Sequence, residues 1–588
     1  MKFASLVTCL VFWFSVGASV QLSLPARALD PAQGDRSGSR DRSTTYIAQS
    51  TPEILESPLE FGPLDLREFS LPKPIELQFS QFSPTQPRLE STIDTSVMVE
   101  VRDIEVLGNT VFSEAEIDAI AAEFEGKRLA FEDLLALRTA VTDLYTSNGY
   151  TTSGAFLPPQ DVSDGVVQIQ AVEGQLERIE VTGLSRLSDD YVRDRLELAA
   201  RAPIRLSNLE AALQLLQQDA AIQSIRADLS AGTRPGLSVL SVDLSEADPI
   251  GSSLTIENRD SPSVGSIRYS AALAHHNLLG RSDRLGAEFG LTGGVDTYNV
   301  SYGIPLNPRN GTLSLSYDNS RSTVIEEPFD DLDIRGRTET FSLGFRQPIR
   351  RTPSSEITLG IAADVRRSRT FIFDDEPFSF SEGPEDGESN ITALRLTQEW
   401  VDRTPTRVFA ARSQFSVGLD VFNATLNEGS PDGRFVSWLG QVQWVQSLGT
   451  DSIAIARLAT QLTGDSLLPI EQFSLGGIDT VRGYRQNQRV GDSGIVGSVE
   501  VRLPLVRDRG GFGLVQLAPF FDIGTAWNQD RDIPDPSTLA SVGLGLRWEL
   551  NSRLNARVDW GIPLAEVDDP GDSLQDEGII FSIRYSPF

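Results

Sequence analysis

From residue 250 onward the chain is dominated by short segments in which apolar and polar residues alternate. In 554–562, apolar side chains occupy every second position from Leu554 to Ile562, and polar residues or glycine lie between them. The segment from Val542 to Leu550 repeats the pattern. Because successive side chains of a strand point to opposite faces, each segment predicts a β-strand with one apolar and one polar face.

Sixteen segments of this kind follow one another up to the C-terminus. They begin near Ser252, Val264, Asp283, Asp296, Thr312, Arg337, Glu356, Ile391, Val408, Phe435, Ser452, Gly494, Leu514, Leu539, Leu554 and Gly578. An even number of strands, apolar outside and polar inside, is typical of a lipid-facing wall around a watery lumen. We therefore expect a 16-stranded antiparallel transmembrane β-barrel over residues 250–588. A soluble β-sandwich with one wet face is the alternative.

The connections between these strands support the barrel independently. Long polar connections follow the odd-numbered strands, at 319–334, 368–390, 421–433, 464–492, 525–537 and 564–576. Connections after the even-numbered strands are mostly short. Bacterial barrels have short periplasmic turns and long external loops, so the odd-numbered strands should end outside the cell. The connection 464–492 is then an external loop between strands eleven and twelve.

Two small α/β domains are predicted ahead of the barrel, at 99–174 and 175–247. The first contains a strand at 99–106, helices at 114–124 and 131–148, and a strand at 165–174. Ser113 and Glu116 have the spacing of a helix capping box. The second repeats the plan with a strand at 176–182, a helix cap at Ser188, a helix at 206–218 and two further strands. Either domain could have a binding role of another kind.

The N-terminal segment predicts export followed by an extended linker. Lys2, a mostly apolar run from Leu6 to Val20 and an A-x-A site at Ala26–Ala28 predict a signal peptide over residues 1–28. A membrane anchor is the alternative, but the apolar run is short for a bilayer. Residues 29–98 are rich in Pro, Ser, Gln and Thr, which favours an extended linker.

Composition excludes several classes of function. The chain carries 82 acidic and 51 basic residues, a net charge of −31, and such a chain repels nucleic acid. Its single cysteine, Cys9, lies in the predicted signal peptide. His275 and His276 are the only histidines, and as neighbours on a strand they cannot jointly bind a metal. Without a nucleophile–histidine pair or a phosphate-binding loop, we expect no enzyme, cofactor or metal.

Two motifs carry the candidate mechanism. The loop 464–492 contains Gly476-Gly477 and then the sequence Val481-Arg482-Gly483-Tyr484. The predicted thirteenth strand contains Phe520, Asp522 and Gly524 at alternate positions, so all three should face the lumen.

A carboxylate facing the lumen needs water or a partner, and an arginine guanidinium can bind it through two hydrogen bonds. Our hypothesis is that the loop folds back into the barrel and is latched by Arg482 and Asp522. A surface arginine and a solvated aspartate are the alternative.

Together these motifs resemble the two-partner secretion transporters, the hemolysin secretion/activation proteins of the ShlB/FhaC/HecB type. The Gly-Gly and Val-Arg-Gly-Tyr loop resembles their signature loop, and in that family its arginine pairs with the aspartate of a Phe-x-Asp-x-Gly strand. The stretch Phe156–Asp161, with Gly165 and Glu173-Gly174, resembles their first polypeptide-transport-associated (POTRA) domain. The family also belongs to the superfamily of barrel assembly proteins.

The resemblance implies roles for both ends of the chain. In this family, the position of residues 29–98 carries a plug helix and its linker. A C-terminal aromatic residue such as Phe588 resembles the signal recognised during outer-membrane insertion. A frayed terminus is the alternative for Phe588.

The resemblance also implies the function and the partners. The protein would lie in the outer membrane with periplasmic N-terminal domains, bind an unfolded exoprotein and secrete it through the pore. Outer-membrane lipid and the barrel-assembly machinery would be further partners. An assembly, insertion or import factor is one alternative, which three or more periplasmic domains would favour, and a passive porin is another.

Overall fold

The computed structural model describes residues 77–79, 98–373, 375–429, 431–507, 511–567 and 571–587. The predicted signal peptide at 1–28, nearly all of the predicted linker at 29–98 and Phe588 lie outside the described residues. Within that linker, the main chain of Leu77–Phe79 forms strand β1. No helix in the described ranges combines the length and the apolar composition of a membrane span.

The first α/β unit packs two helices against one face of a three-stranded sheet. Its elements are β2 (Met98–Glu100), β3 (Asp103–Leu107), α1 (Glu114–Ala121), β4 (Arg128–Ala130), α2 (Phe131–Ser147), β5 (Gly154–Phe156) and β6 (Val166–Val172). The sheet order is β3-β6-β5. Leu137 and Val141 of α2 are fully buried against Val167 and Ile169 of β6. This apolar core holds the unit together because each helix has only one apolar face.

Two polar side chains form hydrogen bonds with the main chain at the ends of a helix and a strand in this unit. Glu116 accepts a hydrogen bond of 2.9 Å from the N–H of Ser113, which holds the pKa of Glu116 below its ordinary value. Gln160 follows two prolines, which cannot donate a backbone hydrogen bond. Its amide instead donates to the carbonyl of Gln168 and accepts the N–H of Gln168, both at 2.7 Å. Gln160 thus extends the sheet beyond β5 with a side chain.

The second α/β unit has its own core. Its elements are β7 (Gln175–Thr182), α3 (Asp189–Ala199), α4 (Leu206–Gln217), β8 (Ile222–Ala231) and β9 (Leu237–Glu246). Its sheet has the order β1-β8-β9-β7, with β1 parallel to β8. Leu196, Leu209, Leu229 and Leu240 are fully buried between the helices and the sheet.

Sixteen antiparallel strands close into the predicted barrel. In chain order they are Ile250–Glu257, Arg268–His276, Arg284–Leu291, Val295–Pro305, Thr312–Thr323, Arg335–Arg351, Ser355–Ile372, Glu388–Arg403, Arg407–Leu419, Val436–Gly449, Ser452–Thr463, Ser493–Arg507, Leu514–Trp527, Thr538–Asn551, Leu554–Pro563 and Ile579–Tyr585. We count them as barrel strands one to sixteen. The cylinder closes where strand one pairs with strand sixteen, from Leu254 opposite Tyr585 to Glu257 opposite Ser582.

The wall has the two faces that the alternation predicts. On strands fourteen and fifteen, Leu544, Val558 and Trp560 are 47%, 44% and 53% exposed on the outside. Ser541 and Asp559 on the same strands are 0% exposed and face inward. Apolar side chains therefore form the outer surface, as contact with lipid requires.

Contacts between the second α/β unit and the barrel support the predicted orientation. In the turn after strand two, Gly280 accepts the N–H of Ser188 at 2.9 Å. In the turn after strand four, the amide oxygen of Asn310 accepts a hydrogen bond of 2.6 Å from Arg195 of α3. Turns after even-numbered strands thus face the α/β units, and the long loops lie at the opposite end.

Three details differ from the predictions. The strand expected at 99–106 is two strands, β2 and β3, because β2 pairs with β4 whereas β3 pairs with β6. The strand expected from Val264 begins at Arg268, after a single 3₁₀ turn at Pro262–Val264. Helix α3 was predicted only through its cap, Ser188, which does lie at its N-terminus.

The outer face generates a stability prediction. Leu544→Arg puts a charge on the lipid-facing side near the middle of strand fourteen, and we expect a loss of about 2–4 kcal/mol in folding stability. Leu550→Arg, on the same face near the end of the strand, should cost only about 0–1 kcal/mol. Urea titration of folding into lipid vesicles measures both. Equal losses at the two positions would contradict the assignment of this face to lipid.

Candidate functional site inside the barrel

The loop 464–492 folds into the lumen. It contains a 3₁₀ turn at Pro469–Glu471, and its strand Phe473–Leu475 pairs antiparallel with Arg489–Gly491. The residues between these two short strands form a tip that contains the Val481–Tyr484 motif. Because the main chain pairs with itself, the loop is a hairpin that contacts the wall mainly through side chains.

Arg482 at the tip binds Asp522 of strand thirteen. Its Nε lies 2.7 Å from one carboxylate oxygen and its Nη2 lies 2.9 Å from the other. The backbone N–H of Arg482 donates to the same carboxylate at 3.1 Å. The two side chains are 2% and 0% exposed. A buried charge of either sign needs such a partner, so loss of one side chain leaves the other unpaired.

All three residues of the strand motif contact the loop. The guanidinium carbon of Arg482 lies 3.5 Å from the centre of the Phe520 ring, a cation–π distance. Gly524 leaves room for Leu475 of the loop, since a Cβ at Gly524 would lie 2.7 Å from a methyl group of Leu475. In the Phe-x-Asp-x-Gly motif, the phenylalanine ring thus stacks on Arg482, the aspartate binds Arg482, and the glycine leaves space for Leu475.

Arg482 also belongs to a wider ion network. Its Nη1 lies 2.5 Å from Glu500 of strand twelve and 3.6 Å from Asp559 of strand fifteen. Arg547 of strand fourteen also binds both carboxylates: its Nη2 lies 3.1 Å from Glu500 and 2.8 Å from Asp559. An aspartate at position 482 would therefore lie beside Glu500 and Asp559. Exchanging the charges of Arg482 and Asp522 should for this reason not restore the pair.

Close approach of two main chains fixes the rest of the tip. Gly483 has φ of +94°, and a Cβ there would lie 2.9 Å from the carbonyl of Gly561 on strand fifteen. The hydroxyl of Tyr484 donates to the carbonyl of Ala540 at 2.9 Å and accepts the N–H of Ala565 at 3.0 Å. Val481 is fully buried.

The paired glycines lie where the loop turns toward its tip. Gly476 and Gly477 have φ of +102° and +98°, and both follow the strand Phe473–Leu475. The carbonyl of Gly476 accepts a hydrogen bond of 3.0 Å from Thr480. This left-handed backbone favours glycine.

Side chains next to the tip contact other external loops. Arg485 lies 2.8 Å from Glu326, in the loop after strand five, and binds Asp576, in the loop after strand fifteen. Burial opposes ionisation of Asp576, but hydrogen bonds from Arg485 and Ser573 hold the pKa of Asp576 below its ordinary value. Arg259, after strand one, lies 2.7 Å from Asp479 of the loop.

The structure thus brings together the tip, Val481–Tyr484, and the three strand residues, Phe520, Asp522 and Gly524. Sequence reasoning missed Glu500 and Gly561. Glu500 could have been noticed as a carboxylate on an alternating strand. No local signal marks Gly561, because its role depends on a contact with a loop far away in the chain.

Comparison with known protein families identifies the family to which the chain belongs. The family model of the haemolysin secretion/activation protein ShlB/FhaC/HecB matches residues 236–548, and that of the ShlB-type POTRA domain matches residues 99–174. The chain belongs to the ShlB/FhaC/HecB family. It is an outer-membrane transporter of the two-partner secretion type, with its POTRA-type units in the periplasm.

Relatives of this ShlB/FhaC/HecB-family protein are diverse in sequence. The outer membrane transporter CdiB of Escherichia coli O6:K15:H31 (strain 536 / UPEC) is 26% identical over 490 residues, which cover 80% of this chain and 79% of CdiB. The heme/hemopexin transporter protein HuxB of Haemophilus influenzae (strain 86-028NP) is 20% identical over 509 residues, covering 78% and 82%.

Solved structures show the same fold. CdiB from Escherichia coli superposes with a TM-score of 0.66 at 22% identity, covering 88% of this chain and 94% of that one. BamA from Haemophilus ducreyi lacking POTRA domains 1-3 gives a TM-score of 0.50 at 14% identity, covering 83% of this chain and all of that one. Within the described part of this transporter, no cluster of three His, Cys, Asp or Glu side chains could hold a metal ion.

The contact between Gly483 and Gly561 generates a prediction for this family member. In Gly561→Ala the new Cβ would lie 2.6 Å from the backbone nitrogen of Gly483, so the tip must move away. We expect a loss on the order of 1–3 kcal/mol in tip stability, seen as faster trypsin cleavage within the loop. Gly497→Ala on strand twelve is the control, because its Cβ would meet nothing closer than 3.8 Å. Identical cleavage of the two variants would contradict the contact.

Proposed function

We propose that the POTRA-type units capture an unfolded exoprotein in the periplasm and that the barrel conducts it outward when the loop 464–492 leaves the lumen. The observation that carries this proposal is the buried Arg482–Asp522 pair between a self-paired hairpin and the wall. Side-chain contacts can open without unpairing any barrel strand. Arg482, Gly483, Tyr484 and Asp522 would then act as a latch.

The first α/β unit offers a surface suited to an extended client. Leu107 and Phe156 lie opposite Gln170 on the two strands that flank it, so the three side chains share the outer face of the sheet. Leu107 and Phe156 are 43% and 44% exposed. Strand β5 has β6 as its one neighbour among the described strands, and the N–H of Ala155 donates to the hydroxyl of Thr142 of α2 at 3.0 Å. A client strand that pairs with this edge must displace that hydrogen bond. Main-chain pairing tolerates varied client sequences.

Further partners follow from the barrel itself. The apolar outer face of the wall would contact outer-membrane lipid. The barrel-assembly machinery would recognise Phe588, whose role stays a prediction, as does a plug formed by residues 29–98. The transporter would need no catalytic step of its own, because folding of the client outside the cell can bias its movement.

A role in inserting other barrels is the second candidate function. The fold shared with BamA favours it. The described residues form two α/β units ahead of the barrel, and this number supports secretion instead.

Secretion of an exoprotein tests the client surface, and the product of the adjacent reading frame is the first client to try. The double variant Leu107→Asp and Phe156→Asp removes two apolar contacts, and we expect secretion to fall about tenfold or more at limiting client. Met98→Asp is the control, because Met98 is equally exposed, at 48%, on a different sheet of the same unit. Normal secretion by the double variant, with the barrel folded, would contradict client binding at this surface.

A further inference from the structure

The loop 464–492 has a second attachment to the wall, far from the Arg482 tip. Leu467 and Leu468 at its start are 0% exposed. They pack in one apolar cluster with Ile391 and Ala393 of strand eight and with Phe435 at the start of strand ten. This contact brings the first part of the loop against the wall on the strand-eight side.

A buried ion pair joins the same part of the loop to the wall. Glu471 accepts hydrogen bonds from Arg395 of strand eight, at 2.8 Å from Nη2 and 3.3 Å from Nη1. The two side chains are 3% and 1% exposed. Arg366 of strand seven donates to the carbonyl of Ile470 at 2.9 Å and lies 3.4 Å from Glu471. Together, two wall arginines bind both the main chain and the carboxylate of the loop.

Of the two wall arginines, Arg395 keeps partners on the wall without the loop, whereas the partners named for Arg366 both lie on the loop. Arg395 also binds Asp364 of strand seven and donates to the hydroxyl of Ser416 on strand nine, the latter at 2.8 Å. Removing the charge of Glu471 therefore leaves Arg395 with a carboxylate partner. In Glu471→Gln, Arg366 keeps its hydrogen bond to the carbonyl of Ile470 while the loop is in place. Since a buried arginine that kept no partner would destabilise the wall, these retained partners allow Glu471 to be tested apart from barrel folding.

The two attachments lie on opposite sides of the loop. Glu471 binds strands seven and eight, and Arg482 binds strands twelve and thirteen, while the loop itself joins strands eleven and twelve. None of the contacts named for Glu471 shares a residue with those named for Arg482. Two independent contacts that hold one state add their free energies, so their effects on the equilibrium multiply.

We propose that Glu471 and Arg395 form a second anchor that keeps the loop in the lumen after the Arg482–Asp522 pair has opened. Glu471 is then a positioning residue of transport: passage of a client requires release at both anchors. This inference rests on the proposed movement of the loop. The free energy that keeps the channel closed then comes from two sites instead of one.

Labelling of a cysteine in the loop tests the second anchor. Thr480, 6% exposed near the tip, is replaced by cysteine in the full chain in vesicles, with Cys9 changed to serine, and a membrane-impermeant maleimide is added. We expect Glu471→Gln or Arg482→Ala alone to raise the labelling rate by about tenfold, and the two together by about the product of the single effects.

Glu399→Gln is the matched control. Glu399 lies on strand eight, as Arg395 does, and pairs with Arg346 of strand six, away from the loop. It should leave labelling unchanged in both backgrounds, and gel mobility before and after heating verifies that every variant is folded. If Glu471→Gln prevents folding, Glu471→Asp, which keeps the charge but shortens the reach, takes its place with the same expectation.

The outcomes separate the anchor from the proposed function. If the Glu471 variant labels like the Glu399 control in the Arg482→Ala background, the second anchor is wrong. If labelling follows the product but secretion of the exoprotein stays normal in the double variant and in a chain with the loop cross-linked to the wall, the anchor stands and movement of the loop in transport is wrong.

Discussion

The structure depends on one electrostatic constraint: charged side chains inside the wall must be paired. Arg482 and Asp522 are almost completely buried, and so are Arg395 and Glu471. Burial of any one of these ions alone would cost several kcal/mol, whereas pairing offsets most of that cost. The loop carries one member of each pair, so the position of the loop and the charge balance of the wall are coupled. A change that removes the loop from the lumen must supply water or other partners to both sites.

Much of the fold could be predicted because a period of two is a direct consequence of strand geometry. The start of strand fourteen, predicted at Leu539, is observed at Thr538, since apolar residues alternate with polar residues or glycine from Ala540 to Leu550. Helix α3 was harder because Tyr191, Val192 and Leu196 are its only buried side chains, and charged residues surround them. Strand two was placed too early because Pro262–Val264 forms a turn that composition alone does not distinguish from a strand.

Only some contacts of the candidate site could be predicted from the sequence. Arg482 and Asp522 could be paired in advance because each lies in a motif and alternation places Asp522 in the lumen. Glu471 and Arg395 lie in no such motif, and their contact depends on the path of the loop across the lumen. Gly561 is similar: it matters because the main chain of Gly483 passes within contact distance. Long-range contacts of this kind follow from tertiary geometry rather than from local pattern.

The double attachment of the loop also has a mechanical consequence. The cross-section of a β-barrel deforms easily from a circle to an oval, because changing the angle between neighbouring strands costs little free energy. A hairpin attached to strands seven and eight on one side and to strands twelve to fifteen on the other acts as a cross-brace between those two parts of the wall. The circumference between the attachment points is thereby stiffened, and the arc from strand sixteen through the seam to strand six is left as the part of the barrel that deforms most easily.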